Sequence, residues 1–457
     1  MKVAVVGGGI AGLAAAYRVE QLAPEVELVV LERSGRLGGK VLTEHVDGFV
    51  IEGAPDSFLS RKTRAAELCE ELGLASAVVG RRPEHARSFV RRGGELIPLP
   101  EGLTGLVPTN LAALDESGLL SEAGKKRFAE ERDVPPASAG GDEPVASFVS
   151  RRFGREAYEA LVEPLLTGIY GGEGEQLSLQ ATFPQLRTLE LEHGSVLRGL
   201  EVQPPGGSPL PPFLSLRAGM QELTDALWRH LVRTDLRTGA RVVSIRASAG
   251  YVVELEDGAL EVEGVVVATP AFVSGRLLAP LDPELARLHE EIAYGSSLVV
   301  TLAFERSAVA RPLAGYGYVV PKAEGGDVLA CTWTSSKWDG RAPAGTVLVR
   351  VHAGRTGGRD LTAEPDDELV ALAREELHVL GVSAAPGLVR IHRWPRGMPQ
   401  YALGHPERLE RIEEALARHP GLALAGAAYR GVGIPDCIVS GERAARSVVD
   451  ALSQVAG

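Results

Sequence analysis

Val3-Ala4-Val5-Val6-Gly7-Gly8-Gly9-Ile10-Ala11-Gly12-Leu13-Ala14-Ala15-Ala16-Tyr17 decides the fold of this chain. Val3 to Val6 is apolar without alternation, the pattern of a parallel strand buried on both faces. Gly7, Gly9 and Gly12 form a GxGxxG turn into a helix. Gly7 permits the tight turn, Gly9 lets the backbone approach a pyrophosphate, and Gly12 lets the helix pack close. The helix N-terminus, opening with Ile10 and Ala11, aims its dipole at the phosphates. A second apolar strand, Leu28 to Leu31, ends at Glu32, whose carboxylate suits ribose hydroxyls and would repel a 2′-phosphate. Together these residues specify an adenine dinucleotide site on a Rossmann-like layer.

Glu32 is followed by Arg33-Ser34-Gly35-Arg36-Leu37-Gly38-Gly39-Lys40, a second glycine-rich and basic loop. A nicotinamide dehydrogenase has no need of it, so FAD is favoured over NAD. Arg36 or Lys40 would neutralise pyrophosphate charge.

At 457 residues the chain exceeds one core and suits two or three domains. A net charge of −12, without a block of five or more like charges, argues against a nucleic-acid surface or a polybasic membrane anchor and favours small molecules as partners. No apolar run is long enough for a membrane helix, and the strand at Val3 leaves no room for a signal peptide, so a cytoplasmic protein is expected. Cys69, Cys331 and Cys437 are far apart, and the ten histidines lack ligand spacing. No disulfide framework or metal site is expected, so a cofactor must supply the chemistry.

Further along, Val41 to Phe58 reads as a hairpin with an Asp47-Gly48 turn leading into the loop Gly53-Ala54-Pro55-Asp56-Ser57. Arg64 to Leu72 has helical spacing. The segment 101–131 shows no dominant period, Asp133 to Asp142 reads as a loop, and a helix restarts at Pro144 with Asp142 or Glu143 as cap. Pro204 to Pro212 reads as a domain crossing. Strands follow at Val242 to Ile245, Tyr251 to Leu255 and Val265 to Thr269, then at Ser297 to Phe304 and Val347 to His352, with a helix over Asp366 to Leu377. Leu422 to Gly426 is a last buried strand, entering a glycine turn and a helix start at Ile434-Pro435-Asp436-Cys437. The expected class is α/β and α+β, with a discontinuous Rossmann-like FAD-binding domain (1–85, 210–275 and 390–457), a helical insertion (100–205) and a substrate domain (280–385).

The opening tract resembles the flavin amine oxidase and protoporphyrinogen oxidase superfamily. With Glu52 to Phe58, Pro164 to Gly172, Arg393-Trp394, Met398-Pro399-Gln400-Tyr401 and the C-terminal segment, the chain resembles the bacterial porphyrinogen oxidases of haem synthesis over residues 1–450. Gly433-Ile434-Pro435-Asp436-Cys437 is most similar to the soluble Gram-positive coproporphyrinogen III oxidases. The resemblance implies a noncovalent FAD held by Gly7, Gly8, Gly9, Ile10, Ala11, Gly12, Glu32, Arg33, Lys40, Gly53, Ala54, Pro55, Asp56, Ser57, Val243, Trp394, Ile434, Pro435 and Asp436. It also implies a porphyrinogen substrate oxidised in two-electron steps, oxygen as acceptor with peroxide as product, and a transient contact with a ferrochelatase. Ala54 stands where the family usually has glycine, and the region 101–143 is shortened.

Propionates call for cations, and Arg61, Lys62 and Arg64 follow the Pro55 to Phe58 loop. No protein nucleophile or catalytic triad is required, because the flavin does the redox chemistry. Protoporphyrinogen IX remains open as the substrate. An amine oxidase, a carotenoid desaturase and a non-catalytic dinucleotide-binding regulator are the more distant alternatives.

Overall fold

The computed structural model describes every residue except 105, 109, 138–139, 203–209 and 457. Its first layer is an all-parallel five-stranded sheet, ordered Asp235–Thr238, Glu27–Glu32, Lys2–Val6, Gly264–Val267, Leu422–Leu424. The unbroken apolar runs read in the sequence are its three central strands and the edge strand Leu422–Leu424, covered on both faces. One face carries the helices Ile10–Leu22, Gln221–His230 and Ile434–Ala456. The first and last of these approach at backbone contact: a Cβ on Gly441 would lie 2.1 Å from the Ala11 carbonyl oxygen. The other face carries the antiparallel meander Val242–Ala247, Tyr251–Leu255, Gly258–Val262 and three helices.

A second layer is a seven-stranded sheet, ordered Leu388–Pro399, Tyr294–Glu305, Thr346–Ala353, Val328–Trp333, Gly317–Val319, Phe89–Arg92, Glu95–Pro98. Neighbours run antiparallel except Gly317–Val319 beside Phe89–Arg92. Alternation sets its two faces. Leu298, Val300, Leu302, Val349 and Val351 pack against the helix Asp366–Glu376. The intervening residues face the hairpin Thr43–Val46/Phe49–Glu52 and the loop after it. This sheet departs from the span 280–385: ladder pairing recruits strands from 89–98, and the expected boundary at 390 falls inside the edge strand Leu388–Pro399.

Helices between Leu111 and Val202 bury an apolar core of their own, including Phe148, Leu161, Leu166 and Tyr170. The segment without a period contains a short ladder, Leu103–Thr104 with Val107–Pro108, and helices Leu111–Glu116 and Glu122–Ala129 capped by Asn110 and Ser121. The helix near 144 begins at Val145, with Pro144 at the N-cap and no side-chain cap. Asp142 instead accepts from the Gln180 amide, and Glu143 pairs with Arg151 and Arg187. The expected crossing at Pro204 to Pro212 lies outside the described residues as far as 209. Among the described residues no helix is long and apolar enough to cross a membrane, and no cluster of ligating side chains is placed to hold a metal.

Candidate functional site

The three glycines of the first turn differ in what surrounds them. Gly7 has φ +109°, its N–H donates to the Leu31 carbonyl at 2.8 Å, and a Cβ there would meet the Ala268 carbonyl oxygen at 2.8 Å. A Cβ on Gly12 would sit 1.9 Å from the Gly7 carbonyl oxygen, so this glycine serves packing. On Gly9 a Cβ would touch only Gly39 Cα, at 3.9 Å, which leaves open space over the helix start. The helix Ile10–Leu22 has no side-chain cap and no acidic residue in its first turn, so its leading amides and dipole suit an anion.

Glu32 accepts from the Gly8 amide through Oε2 and from the Ser34 amide through Oε1, both at 2.8 Å. Its carboxylate is thereby fixed beside the glycine turn. The strand Val242–Ala247 is reached from Glu32 and Ser34 through bonds at Ala240 and Gly239. A bulge between Val242 and Ser244 leaves Val243 44% exposed. Arg33 is exposed, and among the described residues its side chain makes no hydrogen bond or ion pair.

Of the two cations expected at the pyrophosphate, Arg36 donates to the carbonyls of Leu37, Gly39 and Val41 and so shapes its own loop. That loop docks on the glycine turn through Gly38 N–H to the Gly8 carbonyl, 2.8 Å. Lys40 donates to the Gly397 carbonyl, and burial lowers its ammonium pKa. The Gly53 to Ser57 loop is joined to the same place: Trp394 Nε1 donates to the Gly53 carbonyl at 2.9 Å. A Cβ on Gly53 would meet His392 at 2.8 Å, whereas Ala54 is accommodated, so the position that requires glycine is Gly53.

At the C-terminal turn, Tyr401 OH accepts from the Gly431 amide at 2.8 Å and donates to the Ala427 carbonyl at 2.7 Å. Ile434 and Pro435 open the long helix, and Asp436 is clamped by Lys62 Nζ at 2.7 and 2.6 Å. Burial pushes the Cys437 thiol up to about 12, which keeps it protonated and unreactive. The structure thus links Gly8, Gly38, Lys40, Gly397, Trp394 and Gly53 by direct contacts, with Lys62 and Asp436 joining the neighbouring helix start.

The three expected propionate cations part company. Arg61 is exposed, and Lys62 pairs with Asp436 while its side chain stays 43% exposed. Arg64 donates to both oxygens of Glu442 (3.0 and 3.0 Å) and pairs with Glu71 at 2.7 Å and Glu67 at 3.2 Å. Burial alone would lower its pKa, but the bonds to Glu71 and Glu442 outweigh it and hold it higher. Arg64 therefore braces helices, its donors spent on Glu67, Glu71 and Glu442.

Sequence reasoning missed a buried ionic network under the Gly53 to Ser57 loop. Asp56 accepts from Lys337 Nζ (3.0 and 2.8 Å), Trp338 Nε1 (3.1 Å) and Ser57 Oγ (2.8 Å), and lies 3.6 Å from Arg350. Burial would raise the Asp56 pKa, but Lys337 and Arg350 hold it far below the usual range. Arg350 also donates to the Ala54 carbonyl. Glu52 pairs with Arg341 at 3.3 Å and accepts from Thr43 and the Met220 amide. Burial, then the charge of Arg350, pushes His352 down to about 3, so its imidazole is neutral. The signal was present in Val347-Leu348-Val349-Arg350-Val351-His352, where polar residues two apart interrupt an apolar strand on one face.

Residues 10–449 match the model of the flavin-containing amine oxidoreductase family. The chain is 35% identical to the coproporphyrinogen III oxidase of Bacillus subtilis, covering 99% of this chain and 98% of that one. It is 33% identical to human protoporphyrinogen oxidase, with 98% of each chain covered. The chain belongs to the porphyrinogen oxidase branch of the flavin-containing amine oxidoreductase family. A crystal structure of a protein from Exiguobacterium sp. 255-15 superposes with a TM-score of 0.88 at 34% identity, covering 99% of both chains. Putrescine oxidase shares the fold, with a TM-score of 0.71 at 18% identity. The family's flavin fits the residues present. Gly9 leaves the cradle that a Cβ would begin to fill, and the uncapped helix start behind it offers amides to phosphate.

Proposed function

We propose that this protein is an FAD-dependent oxidase that converts coproporphyrinogen III to coproporphyrin III in haem biosynthesis, with oxygen as acceptor and peroxide as product. The observation that carries this reading is near-complete coverage of bacterial coproporphyrinogen III oxidases at 32–35% identity, together with the Gly433 to Cys437 helix start over Lys62. The reading includes cytoplasmic location, transient handover to a ferrochelatase, and the division into a discontinuous cofactor domain, a helical insertion and a seven-stranded substrate layer.

Bound FAD supplies the redox chemistry. The chain's own task is to bind and orient. In this reading Gly7 to Gly12 receive the pyrophosphate, Glu32 the ribose, and Val243 the adenine end. Gly53 to Ser57, Lys40, Trp394 and Ile434 to Asp436 hold the ring end, and Arg33 lies at the margin. Arg61 and Lys62 remain candidates for propionate contact, whereas Arg64 does not. A protonated, buried Cys437 gives no support to covalent flavin attachment, which separates this reading from the covalent amine oxidases.

The test is side-by-side oxidation of coproporphyrinogen III and protoporphyrinogen IX, followed by porphyrin fluorescence. A higher kcat/KM on coproporphyrinogen is expected. The reverse order would favour the second reading, protoporphyrinogen oxidase, which the 33% identity to the human enzyme keeps in view. Oxidation of neither would overturn both.

Glu32→Ala is expected to weaken FAD binding while sparing turnover at saturating FAD, since a ribose contact is equally strong in ground and transition states. Reconstitution of apoprotein, with kcat measured at saturation, checks this. Loss of kcat at unchanged FAD affinity would contradict it.

A further inference from the structure

Arg81 is held in an unusual way. Its guanidinium lies between the rings of Phe213, 4.5 Å from the centroid, and Tyr316, 4.3 Å from the centroid. Two such contacts fix the plane of the group, and each is favourable where water is partly excluded. Yet among the described residues its side chain makes no hydrogen bond and no ion pair. The residue is half-buried, and its nitrogens are not among the sealed polar atoms that lack a partner, so the edge of the guanidinium stays reachable.

Asp56 in the adjoining network attracts the guanidinium but makes no hydrogen bond or ion pair with it. Lys337, Arg341 and Arg350 already outnumber Glu52 and Asp56 in the adjoining network, so no acid is left over. Arg81 belongs to that neighbourhood: the Arg82 amide donates to the Lys337 carbonyl at 3.1 Å, and Tyr316 OH donates to the Arg82 carbonyl at 2.8 Å. Phe213, one wall of the sandwich, is paired with Leu59, two residues beyond Ser57. A planar, immobilised, unpaired guanidinium beside the Gly53 to Ser57 loop is therefore presented to a ligand rather than to the fold. Guanidinium geometry matches a carboxylate by two parallel N–H donors, which an ammonium cannot reproduce.

We propose that Arg81 anchors a carboxylate of the bound tetrapyrrole at the rim of the Gly53 to Ser57 loop. This rests on the porphyrinogen reading and deepens it by naming a specificity-determining residue. A substrate with four propionates gains a charge-assisted pair there that a neutral ester forfeits.

The experiment titrates coproporphyrin III and its tetramethyl ester into the FAD-loaded protein, reading the Soret band, for wild type, Arg81→Met and Arg81→Lys. Wild type is expected to bind the acid more tightly than the ester. Arg81→Met should lose about tenfold or more in affinity for the acid, with ester affinity and flavin content unchanged. Arg81→Lys should recover part of that loss. Equal weakening of acid and ester, or unchanged acid binding, would overturn the assignment. So would a wild type that binds both forms alike, which needs no variant to fold. Failure of wild type to bind either porphyrin would instead remove the porphyrinogen reading, and this assignment with it.

Discussion

Gly9→Val protein is expected to purify folded and colourless. The glycine turn separates two requirements that are normally confounded, because only one of its glycines faces open space. A Cβ on Gly9 meets nothing nearer than Gly39 Cα at 3.9 Å, so a valine is compatible with the empty fold and fills the cradle over the helix start. Gly12→Val forces a side chain against the Gly7 carbonyl, where even the Cβ would be at 1.9 Å. That change should cost at or beyond the upper end of the about 1–3 kcal/mol typical of overpacking. The flavin-to-protein absorbance ratio and the thermal midpoint together distinguish the two. Stoichiometric flavin in Gly9→Val would place the pyrophosphate elsewhere, and a collapsed midpoint for that variant would show that the space is not open.

Asp56→Ala should be among the most destabilising single changes to the Gly53 to Ser57 loop. It strands Lys337 and Arg350 in the interior without their anion, and breaking a buried pair from one side costs about 3–5 kcal/mol. Removing Lys337 as well, in Asp56→Ala/Lys337→Met, should recover part of the loss, because the uncompensated charge goes with it. The same pair sets a pH dependence. The Asp56 pKa is depressed in the folded state, so its contribution is complete above the unfolded value near 3.8 and drains away as pH falls toward the folded value. Wild-type stability should therefore fall more steeply than that of Asp56→Ala below about pH 4. Thermal denaturation of the three proteins across that range is the measurement. A midpoint for Asp56→Ala within a degree of wild type would show that the network carries no stability.

Much of this architecture is legible in the chain because parallel strands buried on both faces announce themselves. Val3 to Val6, Leu28 to Leu31, Val265 to Val267 and Leu422 to Leu424 are unbroken apolar runs, and all four lie in the five-stranded sheet. The glycine turn and Glu32 are equally local signals, since their spacing follows from one strand, one turn and one helix. The seven-stranded sheet is less legible. Phe89–Arg92 and Glu95–Pro98 join it through a parallel pairing with Gly317–Val319, more than 200 residues away. Arg64 shows the limit of reading charge by proximity: it follows the Gly53 to Ser57 loop in sequence, but its side chain turns to Glu442. Arg350 and His352 show the converse, since their period-two placement marked one polar face of a strand without saying what that face would meet.

The interleaving of the two sheets bears on when this protein can first become competent in the cell. Lys2–Val6 is made more than 400 residues before Leu422–Leu424 closes its sheet and Ile434–Ala456 covers its helix. The edge strand Leu388–Pro399 and the early hairpin Phe89–Arg92/Glu95–Pro98 impose the same wait on the other sheet. At roughly 5–20 residues per second, the nascent glycine turn spends roughly 20–80 s without its covering helix. The first strand, turn and helix therefore stay uncovered until synthesis has passed Ile434–Ala456, so this half of the fold is completed late and not grown outward from its beginning.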